Sequence, residues 1–207
     1  MYEKINYHLG IRVQMIMWIK YLLVVILMPV LLIGCPDPAP SPDLSPDYDH
    51  EAARYLNVNL SRQQSQVWCW AAAIEMVSSY YGNGAAQCST LSYWYGADCC
   101  TYSYYCQTTG TEYQIQSSLS ALGVSSTYLR APLTLQQSMS EIDNGRPFIM
   151  YYYGSFSGHV VVAFGYNSEK NTLFIHDPYY GTFEVPYGQS FSYGGGLTWR
   201  QTLYGFR

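Results

Sequence analysis

One cysteine standing directly before a run of helix-forming residues is the first position that could do chemistry. Cys69 lies in QQSQVWCWAAA, and beyond it Ala72, Met76 and Tyr80, with Ala73 and Val77, recur at helical spacing as far as Gly82. A helix that opens at Cys69 directs the partial positive charge of its N-terminus at the sulfur, which favours the nucleophilic thiolate. The competing role is structural, with Cys69 buried between two core tryptophans, Trp68 and Trp70.

A thiolate nucleophile needs a base that takes and returns a proton. His8 precedes an apolar run and His50 lies in a proline-rich stretch, which leaves His159 and His176 for a folded domain. His159 follows Ser157-Gly158 and opens HVVVAFGY, a strand from which an imidazole can be aimed at a helix packed on the sheet. His176 is read as an exposed strand histidine inside FIHDPYYG, on the face of Phe174 and opposite Ile175 and Asp177. Asp177 ends that strand beside Pro178, where its carboxylate can accept from the His159 ring and hold one tautomer. Asp-Pro is also a common turn opener.

The elements that must position these residues have different periods. Thr111 with Gln114, and Thr134 with Gln137, are spaced as capping boxes that open two further helices, one carrying Ile115, Leu119 and Leu122, the other Leu135, Met139 and Ile142. From Pro147 the pattern becomes β: PFIMYYYG, HVVVAFGY, TLFIHDPY and GTFEVPYG are short β-branched or aromatic runs broken by Gly, Asn and Pro. Helices followed by an antiparallel sheet predict an α+β domain.

Only 12% of the chain is charged and the net charge is -4, so no basic stripe exists to follow a phosphate backbone, and nucleic acid is excluded as a partner. Tyr21 to Gly34 is an uncharged apolar run behind Arg12 and Lys20, shaped as a signal peptide. A membrane span, which needs about 20 apolar residues, is interrupted by Lys20 and Pro29. Leu32, Ile33, Gly34 and Cys35 resemble the bacterial lipobox, which implies lipid modification of Cys35 and an exported protein anchored to the cell envelope. The expected organisation is a lipoprotein-type signal peptide at 1–34, a Pro/Asp-rich tether at 35–53 and one enzymatic domain at 54–207.

Cys88, Cys99, Cys100 and Cys106 remain, an even number in an exported chain, which predicts two disulfides. A bridge between adjacent cysteines is strained, so Cys99 and Cys100 each pair with Cys88 or Cys106, in an order left open. Vicinal cysteines fit poorly around one tetrahedral zinc, and no metal is expected.

Gln63, Cys69, Trp70, Ala71 and Ala72 at the helix start, Gly158-His159 with Gly165-Tyr166, and Asp177-Pro178 with Gly181 together resemble the papain-like cysteine peptidases. The chain order of glutamine, cysteine, histidine and aspartate is theirs. The resemblance is to a bacterial branch that includes secreted effector proteases, with bacteriocin-leader peptidases as more distant relatives, and QC…CC…C runs occur in that branch too. It implies a papain-like fold with the nucleophile at a helix N-terminus packed on a C-terminal antiparallel sheet. It also implies a hydrolase acting on peptide or protein substrates through a thioester; a monomer without a cofactor is expected. Gln63, six residues before Cys69, takes the place of the family's oxyanion donor, with Gln64 and Gln66 close by. Two other classes fit the same residues: a transglutaminase-like or other amine acyltransferase with the same trio, and a non-catalytic binding module built on YWYGADCCTYSYYC.

Overall fold

A computed structural model describes residues 52–155, 157–187 and 196–207. The expected signal peptide, nearly all of the expected tether and Cys35 lie outside the described residues. Among the described residues no helix is long and apolar enough to cross a membrane.

The central element is helix α1 (Cys69–Tyr80). Its run of Ala71, Ala72 and Ala73 has no bulk to hold neighbours away, and these residues with Ile74, Met76 and Val77 are buried. A helix apolar nearly all round belongs inside a domain, and α1 packs on strand β4 (Gly158–Asn167) as well as on α2 (Gln87–Tyr95) and α3 (Glu112–Ala121). Helix α3 and helix α4 (Leu135–Asp143) both begin with complete capping boxes. The Thr111 and Thr134 hydroxyls each accept from an amide three residues on, at 3.2 Å, and Gln114 and Gln137 return the bond. These are the helices the spacing predicts; α2, rich in Ser, Thr and Tyr, carries no apolar period and was not legible.

Seven strands form one antiparallel sheet among the described residues, in the order β2–β7–β3–β4–β5–β6, with β1 paired to the end of β4. They are β1 (Ala53–Tyr55), β2 (Thr127–Leu129), β3 (Phe148–Tyr153), β4, β5 (Thr172–Asp177), β6 (Gly181–Pro186) and β7 (Thr198–Tyr204). The four apolar runs become β3 to β6, while β1, β2 and β7 are additions. Strands β3, β4 and β5 are buried on both faces, which explains why they read as continuous apolar runs rather than alternating ones. One face carries Val160, Val162, Phe164 and Phe174 against α1 and its neighbours. The other carries Val161, Ala163, Leu173 and Ile175 against Ile142 and Met139 of α4, so one helix lies across the sheet from the rest.

Gly165 sits where β4 breaks register with β5 and β1 begins to pair. A Cβ there would lie 2.6 Å from the Arg54 carbonyl oxygen and 2.9 Å from the Phe174 ring, so the close approach of three strands requires glycine. The four remaining cysteines form two disulfides, Cys88–Cys100 and Cys99–Cys106. They cross-link the start of α2 to the loop after it and that loop to the 3₁₀ turn Ser103–Cys106.

Candidate active site

Helix α1 begins at Cys69 with Trp68 at the N-cap and no side chain capping it. The tryptophans on either side are core residues, each 1% exposed, and each also uses its indole N–H. Trp68 donates to the Cys106 carbonyl at 2.9 Å and Trp70 to the Thr108 carbonyl at 3.2 Å. The disulfide-linked segment is thereby held beside Cys69. Gly110 completes the contact, because a Cβ at that position would lie 2.2 Å from the Trp70 ring.

Cys69 is half-buried and is the free cysteine among the described residues. It opens into a cavity of about 550 Å³ lined by Trp70, Gly110, Tyr153, Gly158 and His159 among others. Tyr153 donates its hydroxyl to Glu112 in the first turn of α3.

His159 is brought to this cavity by the start of β4, where it pairs with Tyr152 of β3. Its Nε2 lies 2.9 Å from Asp177 Oδ2. The ring also lines the cavity into which Cys69 opens, and with Nε2 engaged by Asp177 the nitrogen left to face a thiol is Nδ1. Alternation puts His159 on the side of Val161 and Ala163, and Asp177 on the side of Leu173 and Ile175, all on one face of neighbouring strands. The last residues in register are Val162 and His176, so imidazole and carboxylate meet diagonally just past the end of the ladder.

Asp177 is fully buried, and its second oxygen accepts from the Tyr179 and Tyr180 amides at 2.7 and 3.0 Å. Burial by itself disfavours a charged His159, but the hydrogen bond and charge of Asp177, with a further contribution from Cys69, outweigh it and raise the pKa to about 10. The arrangement therefore favours an imidazolium held by Asp177 in the cavity that Cys69 lines.

Gln63 donates its backbone amide to the Pro178 carbonyl at 2.9 Å. Its side chain Nε2 donates to the Ser65 carbonyl at 2.8 Å and its Oε1 is buried without a partner. It shares a second, smaller cavity of about 230 Å³ with Gln66, His159, Tyr179 and Tyr180. Gln64 and Gln66 are exposed, whereas Gln63 is half-buried against the site.

His176 differs from its expected role. It is 6% exposed rather than solvent-facing, stacked on Phe164 with ring centroids 3.9 Å apart. Its Nε2 bonds the Val58 carbonyl at 2.7 Å and Nδ1 the Thr182 hydroxyl at 2.9 Å. Burial pushes its pKa down, against a smaller opposing effect of the Val58 carbonyl, so it is a neutral strap holding the chain before α1 onto the sheet. Alternation assigned its face correctly, but that face is covered by residues more than a hundred positions away.

Sequence reasoning missed the cavity lining at Thr109 and Gly110 and at Tyr151 and Tyr153. The visible signal for the first pair was the Trp-Cys-Trp triplet itself, since two buried indoles require carbonyl acceptors. The tyrosine-rich stretch lies on the disulfide-linked segment, with Tyr93, Tyr102, Tyr104 and Tyr105 exposed.

A model of the Peptidase_C39 like family matches residues 55–201, from the end of β1 into β7. The chain belongs to that family. No curated protein matches it. This C39-like chain is similar to the peptidase domain of Streptococcus ComA, a bi-functional ABC transporter involved in a quorum sensing pathway, at 20% identity and a TM-score of 0.52 over 72% of this chain and 97% of that one. It is also similar to a structure from Bacillus anthracis described as a candidate C39-like peptidase, at 14% identity and a TM-score of 0.50 over 75% and 98% of the two chains. At such identities the likeness is one of fold. Family and fold together make the C39-like protein a papain-like cysteine peptidase.

Proposed function

We propose that the domain hydrolyses peptide bonds with Cys69 as nucleophile, His159 as general base and acid, Asp177 as the group that orients and charges His159, and Gln63 as oxyanion donor. The observation that carries this reading is the position of His159, hydrogen-bonded to Asp177 at 2.9 Å and lining the same cavity as Cys69. The Cys69 thiolate attacks the carbonyl carbon of the scissile bond, and the oxyanion is met by a Gln63 N–H and the Cys69 backbone amide at the uncapped start of α1. The His159 imidazolium gives its proton to the leaving amine, which departs and leaves a thioester. His159, now neutral, removes a proton from water, which attacks the thioester carbon, releases the carboxylic acid and restores the pair.

Profiling residues 52–207 on a peptide library, with Cys69→Ala as control, tests the proposal. Cleavage that vanishes in a folded Cys69→Ala protein is the expected result, and cleavage that persists in it overturns the assignment. Adding a primary amine during turnover separates hydrolysis from acyl transfer, since a transferase puts the acyl group on the amine.

The domain is further proposed to be held at the bacterial cell envelope by a lipid on Cys35. Support comes from the apolar run ending in Leu-Ile-Gly-Cys and the proline-rich segment that follows it. Labelling of the full chain by an alkyne fatty acid in a bacterial host, abolished by Cys35→Ser, is the expected outcome.

A further inference from the structure

The side chain of Gln87, first residue of α2, is the most completely buried polar group near the site that the proposed chemistry does not use, at 0% exposure. Its Oε1 accepts from the Gln64 amide at 2.9 Å. Its Nε2 lies 2.8 Å from the Arg62 carbonyl, 3.0 Å from the Ser61 hydroxyl and 2.9 Å from Glu75 Oε2. Ser61 in turn donates to Glu75. Burying a primary amide is costly unless its hydrogen bonds are made, and here three of the four partners belong to residues 61–64.

Those partners bracket one residue. Gln87 takes the carbonyl on one side of Gln63 and the amide on the other, while the Gln63 amide itself goes to Pro178. Gln87 is anchored in turn, because the next residue, Cys88, is disulfide-bonded to Cys100 and Glu75 lies on α1 six residues after Cys69. The chain on both sides of Gln63 is thus referred to the same helix that presents the nucleophile.

We propose that Gln87 is a positioning residue for the oxyanion side of the cleft: by gripping residues 61–64 it sets where the Gln63 carboxamide stands relative to Cys69. The proposal rests on the reading of Gln63 as the oxyanion donor. An oxyanion forms when Cys69 is acylated, but not when it is alkylated, because displacement at an sp³ carbon has no tetrahedral intermediate. The two reactions therefore separate a misplaced donor from a damaged nucleophile.

The experiment compares Cys69 acylation by p-nitrophenyl acetate with Cys69 alkylation by iodoacetamide in wild type, Gln87→Ala, Gln63→Ala and the double variant. Gln87→Met, which keeps the length and volume of the side chain, replaces Gln87→Ala if the latter does not fold. Loss of one oxyanion donor lowers turnover by about 10²–10³, so displacing it is expected to slow acylation roughly tenfold to a hundredfold, with alkylation unchanged within about twofold. The double variant is expected to be no slower than Gln63→Ala alone. Parallel loss in both reactions, no loss in either, or additive effects in the double variant overturn the positioning role. A wild-type Cys69 inert to both reagents removes the peptidase reading itself, and the proposal with it.

Discussion

The amide of Gln63 donates to the carbonyl of Pro178 at 2.9 Å, and the residue before that proline is Asp177, which holds the His159 ring at the same distance. One turn thus sets both the imidazole and the segment of the proposed oxyanion donor, two parts of the site nearly a hundred residues apart in the chain. The turn is itself rigid, since Asp177 Oδ1 closes it by accepting from the Tyr179 and Tyr180 amides.

Asp177→Asn follows from that double duty. The amide oxygen must stay on the Tyr179 and Tyr180 amides, which turns its NH₂ toward His159 Nε2 and selects the tautomer with a proton on the Cys69 side. Turnover is expected to fall by about 10²–10⁴ with the fold intact. Asp177→Ala also leaves two amides unpaired and should cost a further 2–4 kcal/mol or so of stability. Turnover and urea unfolding of both variants check this.

The His159 pKa is raised from 6.5 to about 10, so the folded state holds a proton that the unfolded chain releases between those values. The stabilisation this contributes is complete below pH 6.5 and is lost as pH rises towards 10. Cys69→Ala removes two of the influences that raise the pKa, so its decline should begin at lower pH. Urea midpoints across this range, with NMR titration of the His159 ring, measure the difference.

Gly110→Ala places a methyl 2.2 Å from the Trp70 ring at its nearest approach. The indole is packed and hydrogen-bonded, so the loop must shift, and overpacking of this kind costs about 1–3 kcal/mol. The expected outcome is a lower Tm and a raised KM, since the displaced wall lines the cavity at Cys69. A variant with unchanged Tm would contradict it.

Peptide mapping without reductant should return Cys88–Cys100 and Cys99–Cys106. The spans are 12 and 7 residues, short enough that each closure is worth about 2–3 kcal/mol. Reduction is therefore expected to lower the urea midpoint and to loosen Thr108–Gly110, read as slower turnover at a given substrate concentration.

Features carried by neighbouring residues were legible in the chain: α1 from its alanines and apolar period, α3 and α4 from their capping boxes, and β3 to β6 from their apolar runs, because caps and side-chain periods act over three or four positions. The residue types of the candidate site were legible for the same reason, as a cysteine at a helix start, a histidine opening a strand and an aspartate closing one. Tertiary structure alone decided what depends on closing long loops. It sealed His176 under the Val58 segment, chose Cys88–Cys100 over Cys88–Cys99, added β1, β2 and β7 to the sheet, and brought Gln87 to both flanks of Gln63. Such contacts join residues from 12 to 118 positions apart. Their pairing is set by how the whole chain buries its apolar surface, which no short stretch of sequence encodes.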